Sequence, residues 1–282
     1  MRELRDKVAV VTGAGSGIGR ALALALADEG CHLALVDISA GGLQETAAAL
    51  EGCGLRVSTH VADVADRQRM RELPVEIEAE HGAIHLLFNN AGVTIDRSFE
   101  ESPLEEIDFV MGVNLWGVIH GCHYFLPHLR KQAEAHIVNT SSLAGFLGLP
   151  RQASYCLTKA AVKSLSESLR AELACHGIGV TSIHPGTIRT NLLRSAAGRS
   201  GANRGETEQL ARLMERFGMR PEKLARRVVR AVKRNRPRVR IGFDSVLSDW
   251  LKRLLPQAVH APLQWGFNRA MRGKDAPSTL TK

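Results

Sequence analysis

The chain lacks any run of about 18 uncharged apolar residues, so it offers no segment that reads as a membrane-spanning helix. It opens Met1-Arg2-Glu3-Leu4-Arg5-Asp6, a charged stretch without the apolar region of a signal peptide, and a cytoplasmic location is expected. Cysteines are few: Cys31, Cys53, Cys122, Cys156 and Cys175 make an odd number with no Cys-x-x-Cys, which fits reduced thiols rather than a disulfide framework or a zinc site. Aromatic residues make up only 5%, and no zinc-finger spacing, aromatic RNP signature or basic zipper points to nucleic acid. The eleven histidines form no His-Glu-x-x-His pattern around His120 or His123, so no metal is expected. No internal repeat and no Pro/Gly-rich linker divides the chain.

What is present suffices for a sizeable core: 282 residues, 44% of them hydrophobic and 23% charged. The net charge of +8 is unevenly placed. From Arg220 to Lys282 there are 16 Lys and Arg against 4 Asp and Glu, while residues 1–219 hold 21 against 25. The basic excess is therefore C-terminal, a candidate patch for an anionic surface.

Hydrophobic periodicity alternates throughout. Short strand-like runs (Val8–Val11, Leu33–Val36, Arg56–Thr59, Ile84–Phe88, His136–Asn139, Val180–Ile183 and Arg238–Ile241) are interleaved with helical stretches over Ile18–Glu29, Leu43–Leu50, Arg67–Glu80, a long segment ending near Arg130, Ser154–Cys175 and Glu222–Arg234. This order predicts an α/β fold: a doubly wound, mostly parallel sheet with helices on both faces, followed by a C-terminal helical extension. Residues 1–242 are expected to form one domain, with a substrate lid at about 187–219, and 243–282 the extension. In such sheets ligands bind beyond the carboxyl ends of the strands.

After the first strand stands Thr12-Gly13-Ala14-Gly15-Ser16-Gly17-Ile18-Gly19. Glycines there let the backbone approach a pyrophosphate beside a helix N-terminus, where the macrodipole favours negative charge. The spacing is not Gly-x-Gly-x-x-Gly but Thr-Gly-x-x-x-Gly-x-Gly, which resembles the short-chain dehydrogenase/reductase family. Asp37, 18 residues after Gly19, can accept hydrogen bonds from ribose hydroxyls and repel a 2′-phosphate, favouring NAD over NADP. By that resemblance, NADP users carry Arg or Lys in the glycine turn or directly after the Asp; here those places hold Ser16 and Ile38. Asp63-Val64 and Asn89-Asn90-Ala91-Gly92 resemble the family's adenine-contacting and strand-stabilising motifs.

Tyr155-Cys156-Leu157-Thr158-Lys159 puts a phenol and an ammonium on one helix face. A phenol of ordinary pKa about 10 is a poor base, and a neighbouring ammonium together with a positively charged nicotinamide favours its ionised form. Thirteen residues before Tyr155, Ser142 in Asn139-Thr140-Ser141-Ser142 is placed to hold a substrate oxygen, with Ser141 the alternative. The resemblance implies a catalytic tetrad of Asn114, Ser142, Tyr155 and Lys159, the asparagine binding through its carbonyl a water that extends the proton path. It also implies that Pro185-Gly186-Thr187-Ile188-Arg189-Thr190 covers the nicotinamide, with Ile188 and Thr190 in contact. The cofactor set so assembled is Gly13, Gly15, Ser16, Gly17, Ile18, Gly19, Asp37, Ile38, Asp63, Val64, Asn90, Ala91, Gly92, Tyr155, Lys159, Pro185, Gly186, Ile188 and Thr190.

These readings converge on an NAD-dependent oxidoreductase that interconverts a hydroxyl and a carbonyl. Leu143, Leu149, Leu192, Leu210, Leu213, Met214 and Phe217 suggest an apolar small-molecule substrate, whereas Arg189 and Arg194 are candidates for a carboxylate. Gly198, Gly201 and Gly205 suggest a mobile part of the lid. Val246, Leu247, Trp250, Leu251, Leu254 and Leu255 form an amphipathic stripe, with Lys252 and Arg253 beside it and Trp265, Phe267 and Met271 beyond. That stripe either packs on the subunit's own core, its lid or another subunit, or touches a membrane surface, as a lipid or retinoid-like alcohol dehydrogenase would require. A homodimer or homotetramer is implied by the resemblance. The rival from another class is a dinucleotide-binding sensor or scaffold without turnover.

Overall fold

The computed structural model describes residues 1–192, 196 and 204–274. Seven strands form one parallel sheet in the order β3-β2-β1-β4-β5-β6-β7. They are β1 (Val8–Thr12), β2 (His32–Asp37), β3 (Val57–Val61), β4 (Leu86–Asn89), β5 (Ala135–Thr140), β6 (Ile178–Pro185) and β7 (Arg238–Ile241). Every residue of β1, β4, β5 and β6 is buried, as a parallel sheet covered on both faces requires.

Neighbouring side chains of a strand serve opposite cores. Ala9 and Val11 of β1 pack with Leu22 and Leu26 of α1 (Gly17–Ala27) and with Val228 and Val232 of α8 (Pro221–Lys233). Val10 lies in the other core, with Met70 and Ile77 of α3 (Arg67–His81), Phe125 of α5 (Gly117–Leu129) and Val162 of α6 (Ala153–Leu173). Further α-helices among the described residues are α2 (Ala40–Ala48), α4 (Leu104–Met111), α7 (Arg204–Phe217), α9 (Phe243–Leu254) and α10 (Ala261–Lys274). Among the described residues no helix is long and apolar enough to cross a membrane.

From β1 the chain builds outward through β2 and β3, then returns to β4 on the other side of β1. That reversal opens a crevice beyond the carboxyl ends of β1 and β4. Of the departures from the expected bounds, two bear on the site. The third strand lies at Val57–Val61, so its last residues run further toward the crevice than the expected Arg56–Thr59. The long helix before β5 is not continuous, because a π-helical turn, Gly112–Trp116, separates α4 from α5.

Candidate active site

At the end of β1 the Thr12 hydroxyl accepts hydrogen bonds from the Asn90 and Ala91 amides at 2.9 and 3.0 Å and donates to the Phe88 carbonyl at 3.3 Å. The Asn90 side chain returns a bond to the Thr12 carbonyl at 3.0 Å. Thr12 therefore pins together the two strand ends that flank the crevice, a role that the sequence reading missed although the Thr-Gly pair after a buried strand marks the place. Gly13 follows with φ +68°, a conformation that other residues adopt at a cost. Gly19 lies against the Gly13 carbonyl, where any side chain would collide, so α1 starts immediately behind the turn.

A cleft of about 600 Å³ runs from this turn across the sheet ends. Gly13, Ser16, Gly17, Ile18, Asp37, Ile38, Asp63, Val64, Asn90, Ala91 and Gly92 line one end. Ser142, Tyr155, Lys159, Pro185, Gly186, Ile188 and Thr190 line the other. Three expected residues do not line it. The Gly15 amide donates to Asp37 Oδ2 at 2.9 Å, Gly19 lies behind the turn, and Asn114 is fully buried. Asp37 also accepts from the Ser39 amide at 2.9 Å through Oδ1, so it braces the turn while facing the cleft. Each carboxylate oxygen keeps a second lone pair for a ligand hydroxyl. Among the described lining residues Lys159 is the one cation, and none stands beside Asp37. Arg20 is turned away behind the turn, donating to the Gly15 carbonyl and Glu45 at 2.6 Å each.

α6 places Tyr155 in its first turn and Lys159 one turn later. The side chains of Tyr155 and Ser142 face each other in the cleft. Ser141 is committed elsewhere: its hydroxyl donates to the Lys159 carbonyl at 2.7 Å. Ser142 Oγ also accepts from the Ala144 amide at 3.2 Å, opening a 3₁₀ turn over Leu143–Gly145. Lys159 is buried, its Nζ donating to the Thr140 carbonyl at 2.9 Å and lying 5.6 Å from the centre of the Tyr155 ring. Burial pushes the lysine down to about 8, since a charged ammonium is poorly solvated there.

Burial likewise raises the Tyr155 phenol above its ordinary value, and the Ser142 hydroxyl opposes this. In the chain alone the phenol is therefore harder to ionise, the opposite of the direction expected from the sequence. Asn114 occupies the π-helical turn and grips Val93 reciprocally, accepting from its amide and donating to its carbonyl at 2.8 Å each. It thereby holds the cleft wall next to Gly92 and Lys159.

The substrate end is lined by Val93, Phe109, Leu143, Leu149, Leu192 and Met214. Leu213 and Phe217 are exposed instead, and the side chain of Leu210 lies outside the described residues, as do Arg194, Gly198 and Gly201. Arg189 does not face the cleft. Its guanidinium closes the C-terminal end of α7, donating to the Gly218 and Arg216 carbonyls at 2.7 and 2.9 Å.

The family model for short chain dehydrogenases matches residues 7–199. The chain belongs to that family. This short-chain dehydrogenase is 37% identical to the protein SadH of Mycobacterium tuberculosis, over 90% of this chain and 93% of SadH. It is 33% identical to the C alpha-dehydrogenase of Sphingobium sp. strain SYK-6, over 95% and 96% of the two chains. Among solved structures, a short-chain dehydrogenase/reductase from Burkholderia phymatum in complex with NAD superposes with a TM-score of 0.83 at 32% identity, covering 94% of this chain and 97% of that one. The short-chain dehydrogenase described here is accordingly an oxidoreductase that works with a nicotinamide dinucleotide on a small-molecule substrate.

Proposed function

We propose that this enzyme interconverts a hydrophobic secondary alcohol and its ketone with NAD, using Tyr155 as the acid/base. The observation that carries the reading is the meeting of Ser142 and Tyr155, with Lys159 one turn away, in the cleft that Asp37 also lines. When bound, NAD supplies the hydride acceptor, and NADH the donor for the reverse reaction. The Ser142 hydroxyl holds the substrate oxygen, and Tyr155 exchanges a proton with that oxygen. The Lys159 ammonium favours the ionised phenol and bonds the nicotinamide ribose, and Asn114 keeps the neighbouring wall in register.

At the far end Asp37 accepts from the adenosine ribose. Its charge, with no Lys or Arg beside it in the lining, disfavours a 2′-phosphate. The apolar lining over Leu143, Leu149, Leu192 and Met214 supports an apolar substrate.

Tyr155→Phe is expected to lower turnover by about 10²–10⁴-fold while leaving NADH binding nearly unchanged; near-normal turnover in the purified variant removes the proton-transfer role. Asp37→Ala is expected to relax the preference for NAD, read as the ratio of kcat/KM for NAD and NADP. An unchanged ratio refutes the ribose contact. A screen of steroids, long-chain and aromatic secondary alcohols, sugars and hydroxyacyl thioesters, followed at the NADH absorbance, identifies the substrate class.

For assembly, α5 and α6 are the expected contact helices of a homodimer or homotetramer, and Leu157 on α6 is exposed accordingly. Peripheral contact with a membrane surface is a second reading. Phe243, Leu247, Trp250, Leu254 and Leu255 around α9, and Trp265 on α10, are exposed, with Arg253 and Arg269 beside them. Co-sedimentation with anionic vesicles that is abolished by Trp250→Glu/Leu254→Glu supports it; no co-sedimentation excludes it.

A further inference from the structure

The wall Pro185–Thr187 is held from outside the residues that define the family match. Its backbone is fastened to the segment from Ile241 to Ser245 at three successive points. The Ser245 hydroxyl donates to the His184 carbonyl at 2.7 Å. The Gly186 amide donates to the Ile241 carbonyl at 2.7 Å, and the Thr187 amide donates to Asp244 Oδ2 at 2.6 Å. Asp244 Oδ1 accepts from the Ser245 amide at 2.9 Å, which fixes the carboxylate in the first turn of α9, directly against Gly186.

Ser245 is fully buried. One helical turn further, Asp249 ties α9 to the sheet, bonded to Arg240 at 2.8 Å and Arg253 at 3.0 Å, with Arg238 at 3.6 Å. Pro185, Gly186 and Thr187 line the cleft; the Thr187 amide and the preceding His184 carbonyl find their partners beyond β7, the Gly186 amide at the end of β7, and the Thr187 carbonyl accepts from the Met219 amide at 2.9 Å.

From this we infer that Asp244 and Ser245 are positioning residues for the nicotinamide end of the cofactor site, acting through the backbone of His184–Thr187. The inference rests on the proposed cofactor reading. Both groups bond the backbone of this wall, so they act on the half of the dinucleotide that this wall covers. The adenosine half lies at the glycine turn and Asp37, at the opposite end of the cleft.

The test uses the full chain and two probes, NADH and ADP-ribose, which lacks the nicotinamide. Titrations by fluorescence or calorimetry are expected to show NADH binding weakened about tenfold in Asp244→Ala, the scale of one lost charge-assisted hydrogen bond. Ser245→Ala is expected to lose about threefold, and Asp244→Asn, which keeps one acceptor for the Thr187 amide, to fall between wild type and Asp244→Ala. ADP-ribose affinity is expected to change by less than about twofold throughout. Amide hydrogen exchange at residues 186–190 should accelerate in Asp244→Ala and not at residues 13–19.

Unchanged NADH affinity in folded Asp244→Ala overturns the inference, as does an equal loss for NADH and ADP-ribose, which marks a general structural role. Should Asp244→Ala fail to fold, Asp244→Asn and Ser245→Ala decide by the same two probes. A wild-type protein that binds neither probe overturns the cofactor reading and the inference with it. One that binds both but shows no effect of the substitutions overturns the inference alone.

Discussion

α8 and α9 are neighbours in the chain, both amphipathic and both rich in basic residues at their ends, yet they face the protein in opposite ways. α8 buries Leu224, Ala225, Val228, Val229 and Val232 against α1 and the sheet. α9 buries Ser245 and Asp249 and turns Leu247, Trp250 and Leu254 outward. The first helix is oriented by removal of apolar area from water, the second by polar partners fixed in place: the arginines of β7 for Asp249 and the His184 carbonyl for Ser245. An apolar stripe thus establishes that a helix is amphipathic, and the fixed groups it meets decide which side lies inward.

The comparison can be broken most severely at α8. Val228→Asp is expected to destabilise the fold by about 4 kcal/mol or more, through an unpaired buried charge, measured by denaturant unfolding. Asp249→Asn removes the carboxylate that faces three arginines, themselves partly solvated, and is expected to cost about 1–3 kcal/mol.

That cost has a pH signature. Burial pushes the Asp249 carboxyl up, but the hydrogen bond from Arg253 and the charges of Arg238, Arg253 and Arg240 outweigh it and hold the group below its ordinary value. The difference between wild type and Asp249→Asn is therefore full above about pH 4 and disappears as the pH falls through the lower native value. Smallest is the outer face of α9: Trp250→Glu/Leu254→Glu is expected to change unfolding free energy by no more than about 0.5 kcal/mol per site. A large loss there means that the stripe is covered in solution, and sedimentation velocity of the double variant would show whether a second copy covers it.

The fold was almost wholly legible in the sequence, because buried parallel strands read as short apolar runs and the helices between them keep their period. Glycines, Asp37, Ser142, Tyr155 and Lys159 fall just after strands or at a helix start, where local order alone brings them to the crevice. What could not be read depends on partners distant in sequence. Arg189 carries the charge for an anion site, but the nearest acceptors are the end carbonyls of α7. Ser141 and Ser142 are equivalent as letters, and only the packing of α6 on the segment after β5 commits one hydroxyl to the Lys159 carbonyl and leaves the other in the cleft with Tyr155. The orientation of α9 was hidden for the same reason, although Ser245 and Asp249 do share one side of the helix, opposite the stripe.

Lys159 also makes the protein work against its own stability. In the folded chain its proton leaves at about pH 8, whereas in the unfolded chain it is held to about 10.4. The native pKa is the lower one, so the unfolded state binds more protons between these values and stability rises with pH across that window. At neutral pH the fold therefore carries the full free-energy cost of enclosing a cation. A variant with methionine at this position is expected to outlast the wild type on heating at pH 7, with an advantage that fades above pH 8. Selection for thermal endurance alone would discard the one cation that the cleft's described lining holds.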